Sequence, residues 1–123
     1  MANEINGSVS LSFSKGNTSE STSISFTDDM TASTGAYNDQ TVSVTDSAAN
    51  LTFSGITTAR WGAIKNIGDT NDLIIGVDNT GFVEVFRLPA NTGMVFRIGS
   101  SVTLQVKCDS TETTTAQVIV YEE

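Results

Sequence analysis

Apolar and polar positions alternate along most of this chain. From Ile5 to Lys15, Val9, Leu11 and Phe13 fall on one side and Ser8, Ser10, Ser12 and Ser14 on the other. A period of two marks a half-buried strand. Ser21 to Thr27 repeats it, with Ile24 and Phe26 inward and Ser23 and Ser25 outward. The pair is expected to form a hairpin whose Lys15–Ser19 loop is longer than the tight two-residue kind. Asp28 to Asn38 is short in apolar residues and reads as the least structured stretch. Gln40 to Thr45 and Leu51 to Phe53 read as short strands.

The stretch from Arg60 to Ile98 is the most regular. Its apolar runs are cut by turn clusters at Gly68–Asp72, Asp78–Gly81 and Pro89–Gly93. Such punctuation about every ten residues, with β-branched and aromatic residues between, predicts antiparallel strands in a sandwich or barrel. Phe82 to Leu88 alternates so that Phe82, Glu84 and Phe86 share one side. Val102 to Lys107 and Ala116 to Tyr121 complete the series. The expectation is all-β, a single antiparallel β-sandwich of about nine or ten strands over residues 1–123, with residues 1–20 as a mobile or docking N-terminal arm. Its core is expected to hold Leu11, Phe13, Phe26, Phe53, Trp61, Ile64, Ile74, Val77, Val85, Phe96, Leu104, Val118 and Val120.

Composition changes this picture little. Ser and Thr supply about a quarter of the 123 residues, and charged residues only 16%. Hydroxyl side chains on the solvent faces of strands account for both values, because Thr has good β propensity. The net charge of −8 argues against nucleic acid and anionic lipid as partners. No run of 18 apolar residues offers a membrane helix. Met1-Ala2-Asn3-Glu4 lacks the basic and apolar regions of a signal peptide, so synthesis in the cytoplasm without export is expected.

The search for chemistry returns little. With no histidine, a Ser, Cys or Thr nucleophile has no usual base, and Lys15, Lys65 and Lys107 sit in no Ser-Lys motif. Cys108 is the only cysteine; it reads as a small buried hydrophobe and permits no intrachain disulfide. One Cys and no His cannot build a tetrahedral zinc site. Asp69, Asn71, Asp72, Asp78 and Asn79 offer oxygen ligands for calcium but lack the EF-hand spacing, and they read as turn formers. Glu84 reads as a partly covered surface carboxylate paired with Arg87 or Arg97. Tyr37, Trp61 and Tyr121 are the candidates for stacking on a sugar, with Trp61 favoured as core. No enzyme activity, cofactor or metal is expected, and no catalytic or binding residue is singled out.

Trp61-Gly62-Ala63-Ile64-Lys65-Asn66, Gly68–Asp72, Leu73-Ile74-Ile75-Gly76, Phe82-Val83 and Leu88–Gly93 form a succession of strands and turns. It resembles a pattern in small virion proteins of tailed bacteriophages and covers roughly residues 53–123. Asn91-Thr92-Gly93 departs from the commoner Pro-Gly or Gly-Glu turn. The resemblance implies a jelly-roll-like sandwich with a structural role in the virion. The first expectation is a capsid decoration or cement protein, a homotrimer or other homo-oligomer, bound to the major capsid protein or another virion protein. A tail or head-fibre component is the alternative within that class. From another class, a carbohydrate-binding β-sandwich module also fits.

Overall fold

The computed structural model describes residues 4–29, 36–56, 58–99 and 102–122. Ten strands run in order: β1 (Ile5–Lys15), β2 (Thr18–Asp28), β3 (Tyr37–Val44), β4 (Ala49–Asn50), β5 (Ala59–Asn66), β6 (Leu73–Asp78), β7 (Phe82–Leu88), β8 (Gly93–Arg97), β9 (Leu104–Lys107) and β10 (Thr114–Glu122). The fold is all-β and antiparallel, as the alternation predicts. The chain divides into two compact units, Met1–Ser33 and Thr34–Glu123. Eight strands belong to the second unit, and the first holds the β1–β2 ribbon. The stretch expected to be least structured, Asp28 to Asn38, falls partly outside the described residues.

In the second unit the strands pair as nested hairpins. β6 pairs β7, β5 pairs β8, β4 pairs β9 and β3 pairs β10. Two further pairings, β10 with β5 and β9 with β6, close this ribbon into two four-stranded sheets. Their orders are β3-β10-β5-β8 and β4-β9-β6-β7. Both sheets contribute to one buried cluster. Val44, Ile64, Ala116, Val118 and Val120 come from the first, and Leu73, Ile75, Leu88 and Val106 from the second. Each buried Val, Leu or Ile side chain contributes about 1.5–3 kcal/mol. Phe53, Phe96 and Leu104 pack against the cluster, as expected.

Several expected core residues lie elsewhere. Leu11 and Phe13 are 69% and 53% exposed on the β1–β2 ribbon, and Val85 is 51% exposed on β7. Trp61 is half-buried and faces away from the cluster. In a strand, Trp61 cannot share a face with Ile64, whereas Gly62 does. Ile74 is buried but outside the shared cluster, flanked in register by Arg87 and Lys107 on the outer face. Their long stems are suited to cover it.

The β6–β7 pairing contains a bulge. Ile75 opposes Phe86, yet Gly76 opposes Glu84, so Val85 is the extra residue. The bulge reverses the alternation beyond it. Phe82 and Glu84 stay on the outer face, Phe86 turns to the inner face opposite Ile75, and Arg87 joins Glu84. This corrects the grouping of Phe82, Glu84 and Phe86 on one side. Gly76 permits the arrangement, because a side chain there would collide with the Val83 carbonyl and the Phe82 ring.

Candidate assembly surfaces

The β1–β2 ribbon separates its side chains by face. Lys15 pairs with Thr18, leaving Gly16 and Asn17 as a two-residue turn rather than a longer loop. Gly16 has φ of 59°, the geometry a type II′ turn places at its first central residue. Directly opposed residues share a face. One face therefore carries Asn6, Ser8, Ser10, Ser12 and Ser14 with Ser19, Ser21, Ser23, Ser25 and Thr27. The other carries Val9 opposite Ile24, Leu11 opposite Thr22, and Phe13 opposite Glu20. Val9 is 45% and Ile24 is 64% exposed. Phe26 lies across Gly7, its ring filling the space a Cβ would need. A two-stranded hairpin is marginally stable alone in water, and an apolar face of this kind gains stability from a further layer of protein.

A second surface lies on the outer face of the β3-β10-β5-β8 sheet. The register places Tyr37, Tyr121, Trp61 and Arg97 in one row across all four strands. The Tyr37 and Tyr121 ring centroids are 6.4 Å apart at a 39° tilt, and the Arg97 guanidinium lies 6.0 Å from the Trp61 ring centroid. Cross-strand aromatic pairs hold a sheet together. The three candidate stacking residues are thus brought together, with Tyr37 and Tyr121 67% and 43% exposed. Asp39 and Ile119 follow in the next row.

The third feature is ionic. Arg87 bonds Asp109 at 2.7 Å, Glu84 at 2.8 Å and Asp72 at 3.3 Å. Glu84 thus has the partner expected of it, brought onto its face by the bulge. These hydrogen bonds, Asp109 first, hold the guanidinium above its ordinary pKa, and Arg87 in turn lowers that of Asp109. The cluster joins the edge strand β7 to the segments before β6 and after β9.

The remaining candidates serve the backbone. Asp78 Oδ1 accepts the Gly81 amide in the β6–β7 turn, and Asn71 Nδ2 donates to the Thr113 carbonyl at 2.9 Å. Cys108 is fully buried, and its thiol pKa is raised by burial and then by Glu112, Asp109 and Asp46. Lys107 lies 5.5 Å from the Phe82 ring centroid. Among the described residues, no group of three or more His, Cys, Asp or Glu side chains could hold a metal ion.

One buried polar residue was not anticipated. Asn66 donates Nδ2 to the carbonyls of Asn71 (2.8 Å) and Leu88 (2.9 Å). Its Oδ1 accepts the Gly68 amide (3.1 Å) and the Thr114 hydroxyl (2.7 Å). Its place at a strand end two residues before Gly68 was the only local signal. Comparison of the chain with protein-family models and with curated proteins found no match.

Proposed function

We propose that this chain is a non-enzymatic structural protein of a tailed-bacteriophage particle, a capsid decoration or cement protein that binds the major capsid protein or another virion protein as a homo-oligomer. The second unit is read as a jelly roll. Its support is the nesting of first with last, second with seventh, third with sixth and fourth with fifth strand, folded into two sheets. Jelly rolls serve both viral capsids and lectins, so the fold leaves the choice between them to the surface. The observation that carries the structural reading is the ribbon with an all-polar face and an exposed apolar face. Such a surface suits docking between proteins rather than catalysis. The pattern of residues 53–123 supplies the link to virions.

Mass spectrometry and cryo-EM of purified particles from the encoding phage test the reading. Repeated density on the capsid that fits the eight-stranded unit is expected. Purified particles that lack the chain would overturn it.

The aromatic row favours a second reading, a carbohydrate-binding module. Three rings from adjacent strands, edged by Asp39 and Arg97, offer apolar faces beside hydrogen-bonding groups. A glycan array is the test. Binding lost in Tyr37→Ala and Tyr121→Ala would support this reading, and no signal on the array would remove it.

A further inference from the structure

We infer that the outer face of the β3-β10-β5-β8 sheet takes a single, unbranched chain of neutral, equatorially linked sugars, laid across the strands and stacked on the Tyr37 and Tyr121 rings. The inference rests on the carbohydrate reading above and names the ligand of that surface and its direction.

The register fixes what such a chain meets. Beside the aromatic row, on the same face, the next row holds Asp39, Ile119 and Ala63. Asp39 is exposed, and Ile119 and Ala63 are half-buried. One row further on come Thr41, Gln117 and Lys65, all exposed. The surface therefore runs from open rings, over a low apolar strip, to polar groups. A pyranose with equatorial hydroxyls has the matching profile: an apolar face of axial C–H groups with hydroxyls around its rim. Its face covers the tyrosine rings, and its rim hydroxyls reach the Asp39 carboxylate, an acceptor whose charge strengthens the bond.

Spacing and tilt select the form of the chain. Adjacent strands lie about 4.8 Å apart, and the Tyr37 and Tyr121 centroids are 6.4 Å apart. One sugar of an extended, equatorially linked chain advances by a similar length, so neighbouring rings address neighbouring sugars. The row from β3 to β5 covers two strand spacings, about 10 Å, and so holds about three sugars. The 39° between the tyrosine planes turns each stacked sugar against the one before it. The twist of the sheet, about 20–25° per strand, continues that turn towards Trp61. A single chain in solution rotates about its linkages and follows the turn. A crystalline polysaccharide holds its sugars coplanar and does not. Charge narrows the class further. With Asp39 at the row and a net charge of −8, the surface repels acidic sugars.

NMR titration of the isotope-labelled full chain with β-1,4-linked gluco-oligosaccharides, from the monosaccharide to the hexasaccharide, is the test. Shift changes are expected at Tyr37–Asp39, Trp61–Ala63 and Ile119–Tyr121, which places the chain across three strands. Affinity should rise with length and level off at the trisaccharide. Tyr121→Ala weakens binding by about tenfold, as loss of a central anchor does. Tyr121→Phe keeps it, because the ring and not the hydroxyl does the stacking. The spectrum of each variant shows directly that it is folded. Shift changes elsewhere on the chain would overturn the inference, as would affinity that does not grow with length. Equal binding to crystalline cellulose or to an acidic oligosaccharide would also overturn it. A chain that binds such a ligand on this face, and not the neutral soluble series, keeps the carbohydrate reading and loses this inference. A chain that binds no glycan of any kind loses both.

Discussion

Thr114 donates its hydroxyl to Asn66 Oδ1 at 2.7 Å, and both residues are buried. The pair closes a polar knot inside an apolar sandwich. Asn66 ends β5, Thr114 begins β10, and the amide of Asn66 also holds the carbonyls of Asn71 and Leu88. All four of its side-chain hydrogen-bonding positions are filled, so one residue ties together the ends of three strands and a turn.

Removing it leaves several buried groups without partners, each at a cost of about 1–3 kcal/mol. Asn66→Ala is expected to destabilise the protein by about 3 kcal/mol or more, and Thr114→Val by about 1 kcal/mol. Urea denaturation of both and of the double variant checks this. The double-mutant cycle should show coupling well above that of two independent sites. Additive effects would mean that the two residues act separately.

The Arg87 cluster sets a pH dependence. Arg87 lowers the pKa of Asp109, so the carboxylate is more stable ionised in the folded state than in the unfolded chain. That stabilisation is fully present above the ordinary carboxylate range and is lost as pH falls through the lowered folded value. Arg87→Gln should therefore melt below the parent protein at pH 7, and the gap should close as pH falls below about 4. Thermal melts across that range give the answer. A gap that persists in acid would show that Arg87 acts by packing over Ile74 rather than by charge.

Cys108 gives a dependence at the other end of the scale. Burial raises its thiol pKa, so the folded state keeps the proton after an unfolded chain would lose it. The unfolded state then binds fewer protons, and stability falls as pH rises above about 8.5. A disulfide reagent at pH 8 should label Cys108 only at the rate of opening or unfolding. Labelling as fast as a free thiol would place the side chain at the surface.

Much of the fold is legible in the alternation of Val, Ile and Phe with Ser and Thr, because a strand's period is a local property. What covers a face is not local. Val9, Leu11 and Phe13 alternate as well as Val118 and Val120 do, yet the former are exposed and the latter buried in the core. The bulge at Val85 also escaped, since two adjacent apolar residues, Val85 and Phe86, do not by themselves mark an extra residue. Its cause lies across the ladder at Gly76, inside the apolar run of β6. The buried role of Asn66 was not legible because its partners Leu88 and Thr114 lie 22 and 48 residues away. The aromatic row was hidden for the same reason: Tyr37, Trp61 and Tyr121 become neighbours only when β3 and β5 flank β10.

Gly76 itself offers a sharp test of the bulge. A methyl group there has no room beside the Val83 carbonyl and the Phe82 ring. Gly76→Ala should cost about 1–3 kcal/mol, an overpacking penalty that the edge strand β7 relieves by shifting. Hydrogen exchange should then show loss of protection concentrated in Phe82–Leu88 and spare β10. Uniform loss of protection would mean that the bulge is not a local feature.

The two units predict a clean dissection. Every member of the buried cluster and of the side chains packed on it lies between Val42 and Val120. The nested pairings that build both sheets also fall within Thr34–Glu123. Stability of the sandwich therefore depends on residues that follow the ribbon. A chain beginning at Thr34 should fold to a β structure and melt in one cooperative transition. A truncated chain that fails to fold would show instead that residues 1–33 complete the core, and the exposed face of Val9, Leu11 and Ile24 would then need its cover within the same molecule.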